Sequence, residues 1–587
     1  MNKSDRTIRI FIAIVWLVTI NFVAFIWHLG DTSLVDETEP LFAEAARQMT
    51  VTNNWITPYF NGETRFDKPP LVYWLMAVGY KLWGVNEWAV RLPSAVSAIA
   101  ISVFGFMTLN RFSVTSPKLV NNYQKEQQLW VAAIIGSGLM ALNPHTIIWG
   151  RTGVSDMLLS ACMSCALFCF FFGYASEAVH KERCYLAFYV LLALAVLTKG
   201  PVGIVIPGLI IGCFLLYTGN FLAVCQEMQL LRGAIIFGVI TIPWFVLILR
   251  ENGRVYWDAF FGYHNFERFT DVVNGHAAPW YFYFLIVLGL FAPWSVYLPG
   301  AIANMQWWKR KYWLKQPRKD QLTLFAWFWF SCIFIFFSIS VTKLPSYVLP
   351  LVPASAILVA AYWSDLLSNL KLKRQPLSRS VTLAIALNLV LVIALAVGFY
   401  LAPSWVGKDP ATPKLSRLVA ESSLPISGTL VWGILAIAIA ILLFQKKYWQ
   451  WIITVNLIGF LAFTSFVLLP TTFFINTHRQ VPLTEIAAEI KQIQQDSEPI
   501  FMMGFKKPSL VFYTQKPVSF FKRRSDFRAY LSSSNFDNSG SNTTALIVGR
   551  AKDIKKIVNL NIYPEITINN YGVYSLIRLP IKAINLD

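Results

Sequence analysis

The chain has 587 residues, of which 56% are hydrophobic and only 14% charged, and its mean hydropathy is +0.51. That balance excludes an ordinary soluble domain and implies a polytopic membrane protein. The formal net charge of +19 is explained by basic loops held on one side of a membrane, so no nucleic-acid partner is required.

A helix needs roughly 20 apolar residues to cross the hydrocarbon. Thirteen stretches qualify as spans, near 9–27, 89–109, 129–149, 156–176, 185–198, 201–217, 233–249, 280–300, 322–341, 345–363, 380–401, 428–445 and 449–470. The first follows Lys3, Arg6 and Arg9 like a signal peptide, but Trp27-His28-Leu29-Gly30 offers no small-residue cleavage site, so it reads as an uncleaved anchor. Basic loops at Lys309 to Lys319 and Lys371 to Arg379 fall on the side of the N-terminus when the spans alternate. That side is read as cytoplasmic. The expected organisation is a transmembrane domain over 1–470, with outside loops at 28–88 and 250–279, followed by a soluble external α/β domain over 471–587. In the latter, Leu483 to Gln494 has helical periodicity, Pro499 to Met503, Ala545 to Val548 and Val573 to Ile577 read as strands, and Ser532 to Thr544 reads as a loop.

All seven cysteines fall in spans or cytoplasmic loops, which leaves the external parts without a disulfide. Cys162, Cys165 and Cys169 at helical spacing read as small packing residues.

The unusual ionisable residues gather on the outer face. Asp36, Glu39, Asp67 and Lys68 lie in the first outside loop. Arg151 and Asp156 bracket the outer end of the third-to-fourth hairpin, and Lys199-Gly200-Pro201 and Lys343-Leu344-Pro345-Ser346-Tyr347 form outer turns. The 250–279 loop adds His264 and Arg268. Charges near bilayer depth are costly and mark functional sites, although either lysine alone reads equally as a snorkelling residue at a helix end. Together with Tyr347, Lys68 and Arg268, they suit a lipid phosphate. The first-loop acids have a plainer reading as part of an interfacial amphipathic helix, and Asp67-Lys68 as a surface ion pair. No Gly-x-Gly-x-x-Gly, Walker-type or His-Glu-x-x-His motif is present. The energy for a transfer must then come from a pre-activated lipid substrate. A divalent metal ion stays open as a cofactor, but no ligand spacing at His264 or His276 specifies one.

Four separated strings carry a family resemblance. They are Asp36-Glu37-Thr38-Glu39 with Ala43-Glu44-Ala45-Ala46-Arg47, Phe66-Asp67-Lys68-Pro69-Pro70, Leu197-Thr198-Lys199-Gly200-Pro201, and Lys343-Leu344-Pro345-Ser346-Tyr347. In this order they resemble the bacterial aminoarabinose transferases of lipid A, within the protein-mannosyltransferase-like group of C-type membrane glycosyltransferases. The resemblance runs from the first span to about residue 363, with a further similarity around Pro508 to Val518.

It implies a polyprenyl-phosphate-linked sugar as donor, attacked at the outer face of a bacterial cytoplasmic membrane. Asp36 would be the first-loop carboxylate and Asp156 the second acidic position, with Lys68, Lys199 and Tyr347 around the donor phosphate. One departure matters: an ungapped alignment sets Thr38 opposite the usual aspartate, so Asp36 and Glu39 are rival bases. The expected reaction is an inverting displacement by lipid A, a glycolipid or a protein hydroxyl, with aminoarabinose, mannose or a related sugar transferred. A lipid-linked sugar flippase is the competing class. No internal repeat is seen, and the ionisable groups lie at one surface rather than at the midplane.

Overall fold

A computed structural model of the chain describes residues 3–112, 122–176, 178–267, 277–373, 378–407, 409–445, 448–496, 498–533, 544–554 and 568–581. Among these, nine helices are long and apolar enough to cross a membrane. The number rises to eleven when two bent pairs each count as one span: Gln124–Ala141 with Pro144–Gly150 (58°) and Phe282–Leu290 with Trp294–Met305 (111°). Ala178–Lys199, charged in its first two turns, and the shorter Val202–Thr218 occupy the other two positions read from sequence. The bends have local causes. Pro144 cannot continue the preceding helix, and Asn143 caps the new one by accepting from Thr146 N at 2.9 Å.

Two spans form the centre of the bundle. Ser155–Ala175 and Pro345–Ser368 are each buried over 94% of their most apolar stretch, whereas Leu230–Tyr263 is buried over only 22% of its own. A helix that is apolar on every side and buried must be surrounded by other helices. Asp156 and Tyr347 sit at the ends of these two inner spans.

The last span does not stop at the membrane. Trp449–Ile493 is one helical run of 45 residues, carried through π-helical turns at Thr464–Leu468 and Asn476–Gln480. At 1.5 Å per residue it is roughly 65 Å long, about twice the hydrocarbon thickness. Its far end, Val481–Ile493, packs Leu483, Ile486 and Ile490 on a sheet.

The described residues form two β-sheets. β1 (Tyr59–Phe60) and β2 (Glu63–Thr64) form a hairpin in the first loop. β3 (Ile500–Met503), β4 (Val518–Phe521), β5 (Thr544–Gly549), β6 (Ile568–Tyr571) and β7 (Tyr574–Pro580) form a sheet in the order β4-β3-β5-β7-β6. β4, β3 and β5 are parallel, with Ser509–Thr514 and Arg524–Ser533 as helices in the two connections, while β7 and β6 run antiparallel. Side chains alternate between faces of a strand. Ile500 and Met502 therefore join the core under Val481–Ile493, and Phe501 and Met503 join the opposite core with Phe521, Phe527 and Ile547. Both faces are covered, which is why these strands are continuously apolar. The expected loop over 532–544 lies largely outside the described residues.

Candidate active site

Pro201 follows Lys199-Gly200 and starts a new helix, and Gly200 takes a positive φ of 91° to make the reversal. The turn aims Lys199 inward. Its Nζ lies 2.7 Å from Asp156 Oδ1, at the first turn of Ser155–Ala175. Ser346 lines the same cavity close to the Asp156 carboxylate. Lys199 Nζ stands 5.5 Å over the Tyr347 ring, which itself packs on Phe337. Three elements that are distant in sequence thus meet at one ion pair.

The first loop supplies the facing wall. Arg65 Nη2 donates to Asp67 Oδ2 at 2.7 Å, the Tyr73 hydroxyl donates to Asp67 Oδ1 at 3.1 Å, and Lys68 Nζ reaches the Asp67 carbonyl at 2.7 Å. Burial disfavours the charged Arg65 guanidinium, but Asp67 and the Tyr73 oxygen outweigh it and hold its pKa above the usual arginine value.

Between these walls lies a cavity of about 420 Å³, a size suited to a small-molecule headgroup. Asp67, Lys68, Asp156, Lys199, Ser340, Ser346 and Tyr347 line its polar part. Leu159, Met163, Val202, Val205, Ile206, Phe261, Phe336 and Phe337 line the remainder. Lys68 and Lys199 balance Asp67 and Asp156 in the lining, and Arg65, paired with Asp67 from outside it, brings the cluster to a formal +1. An anion with an apolar tail fits that division.

Several expected site residues do other work. Glu39, 1% exposed, receives Arg91 Nε at 2.8 Å and Nη2 at 3.0 Å, Val35 N at 2.8 Å and Gly153 N at 2.7 Å. With four donors on its two oxygens it acts as a structural anchor, and its lone pairs are fully engaged. Asp36 also lies away from the cavity. It accepts from the backbone N–H of Ser509 at 3.0 Å and from the Ser509 hydroxyl. Burial pushes its pKa up to about 6, although both Ser509 donors and Lys507 favour the ionised form.

Arg151 donates to the carbonyls of Ala24 (3.3 Å) and His28 (2.9 Å) and so ties the first span to the hairpin. Burial, with Arg91 close by, lowers its pKa to about 10. Lys343 donates to the Ser340 carbonyl behind the cavity wall. Arg268 and the side chain of His264 lie outside the described residues. Among the described residues, no group of three or more His, Cys, Asp or Glu side chains could hold a metal ion.

Residues 67–246 match the family described as dolichyl-phosphate-mannose-protein mannosyltransferase, a stretch that begins at Asp67 and contains Lys68, Asp156 and Lys199. Residues 493–586 match the C-terminal domain of cyanobacterial RgtA-type glycosyltransferases. An undecaprenyl phosphate-alpha-4-amino-4-deoxy-L-arabinose arabinosyl transferase of Proteus mirabilis is 26% identical over 454 residues, 77% of this chain and 74% of that protein. A Yersinia enterocolitica protein of that activity is 24% identical over 78% of this chain and 76% of its own. The crystal structure of ArnT from Cupriavidus metallidurans bound to undecaprenyl phosphate superposes with a TM-score of 0.74 at 21% identity, over 100% of both chains. The chain is a glycosyltransferase that resembles the aminoarabinose transferases and carries a stretch similar to the protein mannosyltransferases.

In this glycosyltransferase, sequence reasoning missed Arg65, Tyr73 and Ser346 as partners of the ionisable groups. Arg65 and Ser346 stood beside residues already singled out, Asp67 and Tyr347. Tyr73 carried no signal, because it lies in an apolar helix, Leu71–Trp83, like many core tyrosines. Phe261, Phe336 and Phe337 were equally silent among the 45 phenylalanines.

Proposed function

We propose that the protein transfers a sugar, with aminoarabinose first in line, from a polyprenyl-phosphate donor to lipid A, with inversion at the anomeric carbon. The carrying observation is the cavity in which Lys68, Lys199 and Tyr347 stand at the polar end of an otherwise apolar chamber. The activity of the Proteus relative, and the undecaprenyl phosphate in the Cupriavidus structure, support the choice of lipid carrier. The donor phosphate sits between the two ammonium groups, with Arg268 of the 250–279 loop as a further cation, and the prenyl chain follows the apolar wall.

In the transfer, the anomeric C–O bond to the phosphate breaks as an acceptor oxygen bonds to the opposite face of the sugar. The electron pair of the broken bond goes to the phosphate, where Lys68 and Lys199 offset its charge; such preorganised electrostatics is commonly the largest catalytic term. Asp67 and Asp156 both hold cations, which makes them poor proton acceptors. An acceptor that is already ionised needs no base, and this favours a lipid A phosphate over a protein hydroxyl. Asp156 then serves to orient Lys199. The N-terminus is assigned to the cytoplasm and the sheet domain to the outer side of a bacterial cytoplasmic membrane, because the basic loops lie on the N-terminal side.

The test is turnover of labelled undecaprenyl-phosphate aminoarabinose by purified protein, with lipid A, dephosphorylated lipid A or membrane protein as acceptor. Product on lipid A alone supports the reading. Product on dephosphorylated lipid A or protein moves the assignment to hydroxyl transfer, and donor binding without turnover moves it to transport.

A further inference from the structure

The tip of the first-loop hairpin is Asn61-Gly62, with φ of +55° and +85°. Positive φ at both central residues is the two-residue hairpin turn that best matches strand twist, and Asn-Gly is its preferred sequence. The turn explains why asparagine is suited to this site, but not where its side chain goes. Asn61 Oδ1 accepts from Val518 N at 2.8 Å, and Asn61 Nδ2 donates to Val518 O at 2.9 Å.

Val518 opens β4, the edge strand of the C-terminal sheet, and its inner neighbour is β3. One side-chain amide therefore pairs with a sheet edge as a further strand would, satisfying backbone groups that an edge leaves open. Phe60, beside it, packs on the core between the sheet and Val481–Ile493. At the other end of the hairpin, Arg65 N closes on Pro58 O at 2.8 Å. The next residues are Phe66, Asp67 and Lys68, two of which line the cavity.

We infer that Asn61 is a positioning residue through which the C-terminal domain sets the placement of Arg65, Asp67 and Lys68 at the active site. The hairpin is only six residues from Tyr59 to Thr64 and is fixed at both ends, so a displacement at its tip is passed to the cavity wall with little slack. The catalytic consequence rests on the function proposed above; the mechanical link does not.

The test compares Asn61→Gly and Asn61→Asp with wild type in purified, full-length protein. Glycine keeps the positive φ and removes only the amide, whereas alanine would strain the turn as well. Aspartate keeps the acceptor for Val518 N and loses the donor. Hydrogen exchange is read at Val518 and in the segment containing residues 65–68, and binding of undecaprenyl phosphate is measured on the same samples, with Lys68→Ala alongside. Loss of two hydrogen bonds predicts exchange at Val518 faster by about tenfold or more in Asn61→Gly. The inference also predicts faster exchange over 65–68 and several-fold weaker lipid binding, with Asn61→Asp intermediate in all three.

Faster exchange at Val518 with unchanged exchange over 65–68 would overturn the link. Unchanged exchange at both would overturn the contact itself. If exchange rises at both places while Lys68→Ala binds undecaprenyl phosphate like wild type, the coupling stands and the assignment of the donor site fails instead.

Discussion

Lys199 and Asp156 are 43 positions apart in the chain and 2.7 Å apart in space. Replacing Lys199→Ala removes the charge-assisted bond proposed to the donor phosphate, worth about 1.5–3 kcal/mol, so donor affinity should fall by roughly one to two orders of magnitude in a binding titration. It also strands the Asp156 carboxylate. Lys199→Ala with Asp156→Asn should recover thermal stability without recovering affinity, which separates the two effects. Arg91→Ala should destabilise by about 3–5 kcal/mol, because it leaves Glu39 charged and buried, and a melting curve in detergent reads it. Asp36 carries a pH signature. Its folded pKa of about 6 lies above the ordinary aspartate value of 3.8, so the folded state holds the proton more tightly. Its contribution is greatest on the acid side and is lost as pH rises through 6, a change of roughly 3 kcal/mol at most. The melting advantage of wild type over Asp36→Asn should therefore shrink from pH 4 to pH 7. The sequence displayed Asp156, Lys199 and Tyr347 because charge and phenol at apolar span ends are rare. It could not separate Asp36 and Glu39 from the cavity residues, because their partners, Ser509 and Arg91, lie 473 and 52 positions away.

At the scale of elements, the Lys199 turn depends on how closely two helices approach. A Cβ at Gly203, in Val202–Thr218, would stand 2.6 Å from the Ala195 carbonyl carbon and 2.8 Å from Val196 N, both backbone atoms of Ala178–Lys199. Small residues let transmembrane backbones meet in this way. Gly203→Ala must push the helices apart, so stability should fall by about 1–3 kcal/mol, and donor affinity should weaken as the lysine turn shifts. A melting curve and the same binding titration check both. Long apolar helices were the most legible elements, since hydropathy alone marks them. The bends at Ala141–Pro144 and Leu290–Trp294 were not, because a bent pair has the same summed hydropathy as a straight span. The junction of the last span with Val481–Ile493 was also hidden: hydropathy ends the span near 470, whereas the polar run Asn476-Thr477-His478-Arg479-Gln480 is a π-helical turn that carries the helix onward.

At the scale of the molecule, polar contacts that join the membrane bundle to the C-terminal sheet include three from the first outside loop. Leu34 N donates to the Tyr513 hydroxyl at 2.8 Å, Asp36 holds Ser509, and Asn61 holds Val518. Hydropathy patterning identified the two regions but carries no information on how they dock, because each contact joins residues hundreds of positions apart. The proposed orientation predicts that, in intact cells, a membrane-impermeant thiol reagent labels Lys516→Cys and spares Lys311→Cys; both positions are exposed in the structure. The reverse pattern would invert the topology. The proposed function requires the cavity between the first loop and the two inner spans to hold a polyprenyl-phosphate sugar for transfer. Its most direct test is release of free undecaprenyl phosphate from labelled undecaprenyl-phosphate aminoarabinose in the presence of lipid A, comparing wild type with Lys68→Ala and Lys199→Ala. Turnover by wild type, with a loss of two orders of magnitude or more in either variant, is the expected result. Turnover that survives both substitutions would contradict the account, because the donor phosphate would then lie elsewhere.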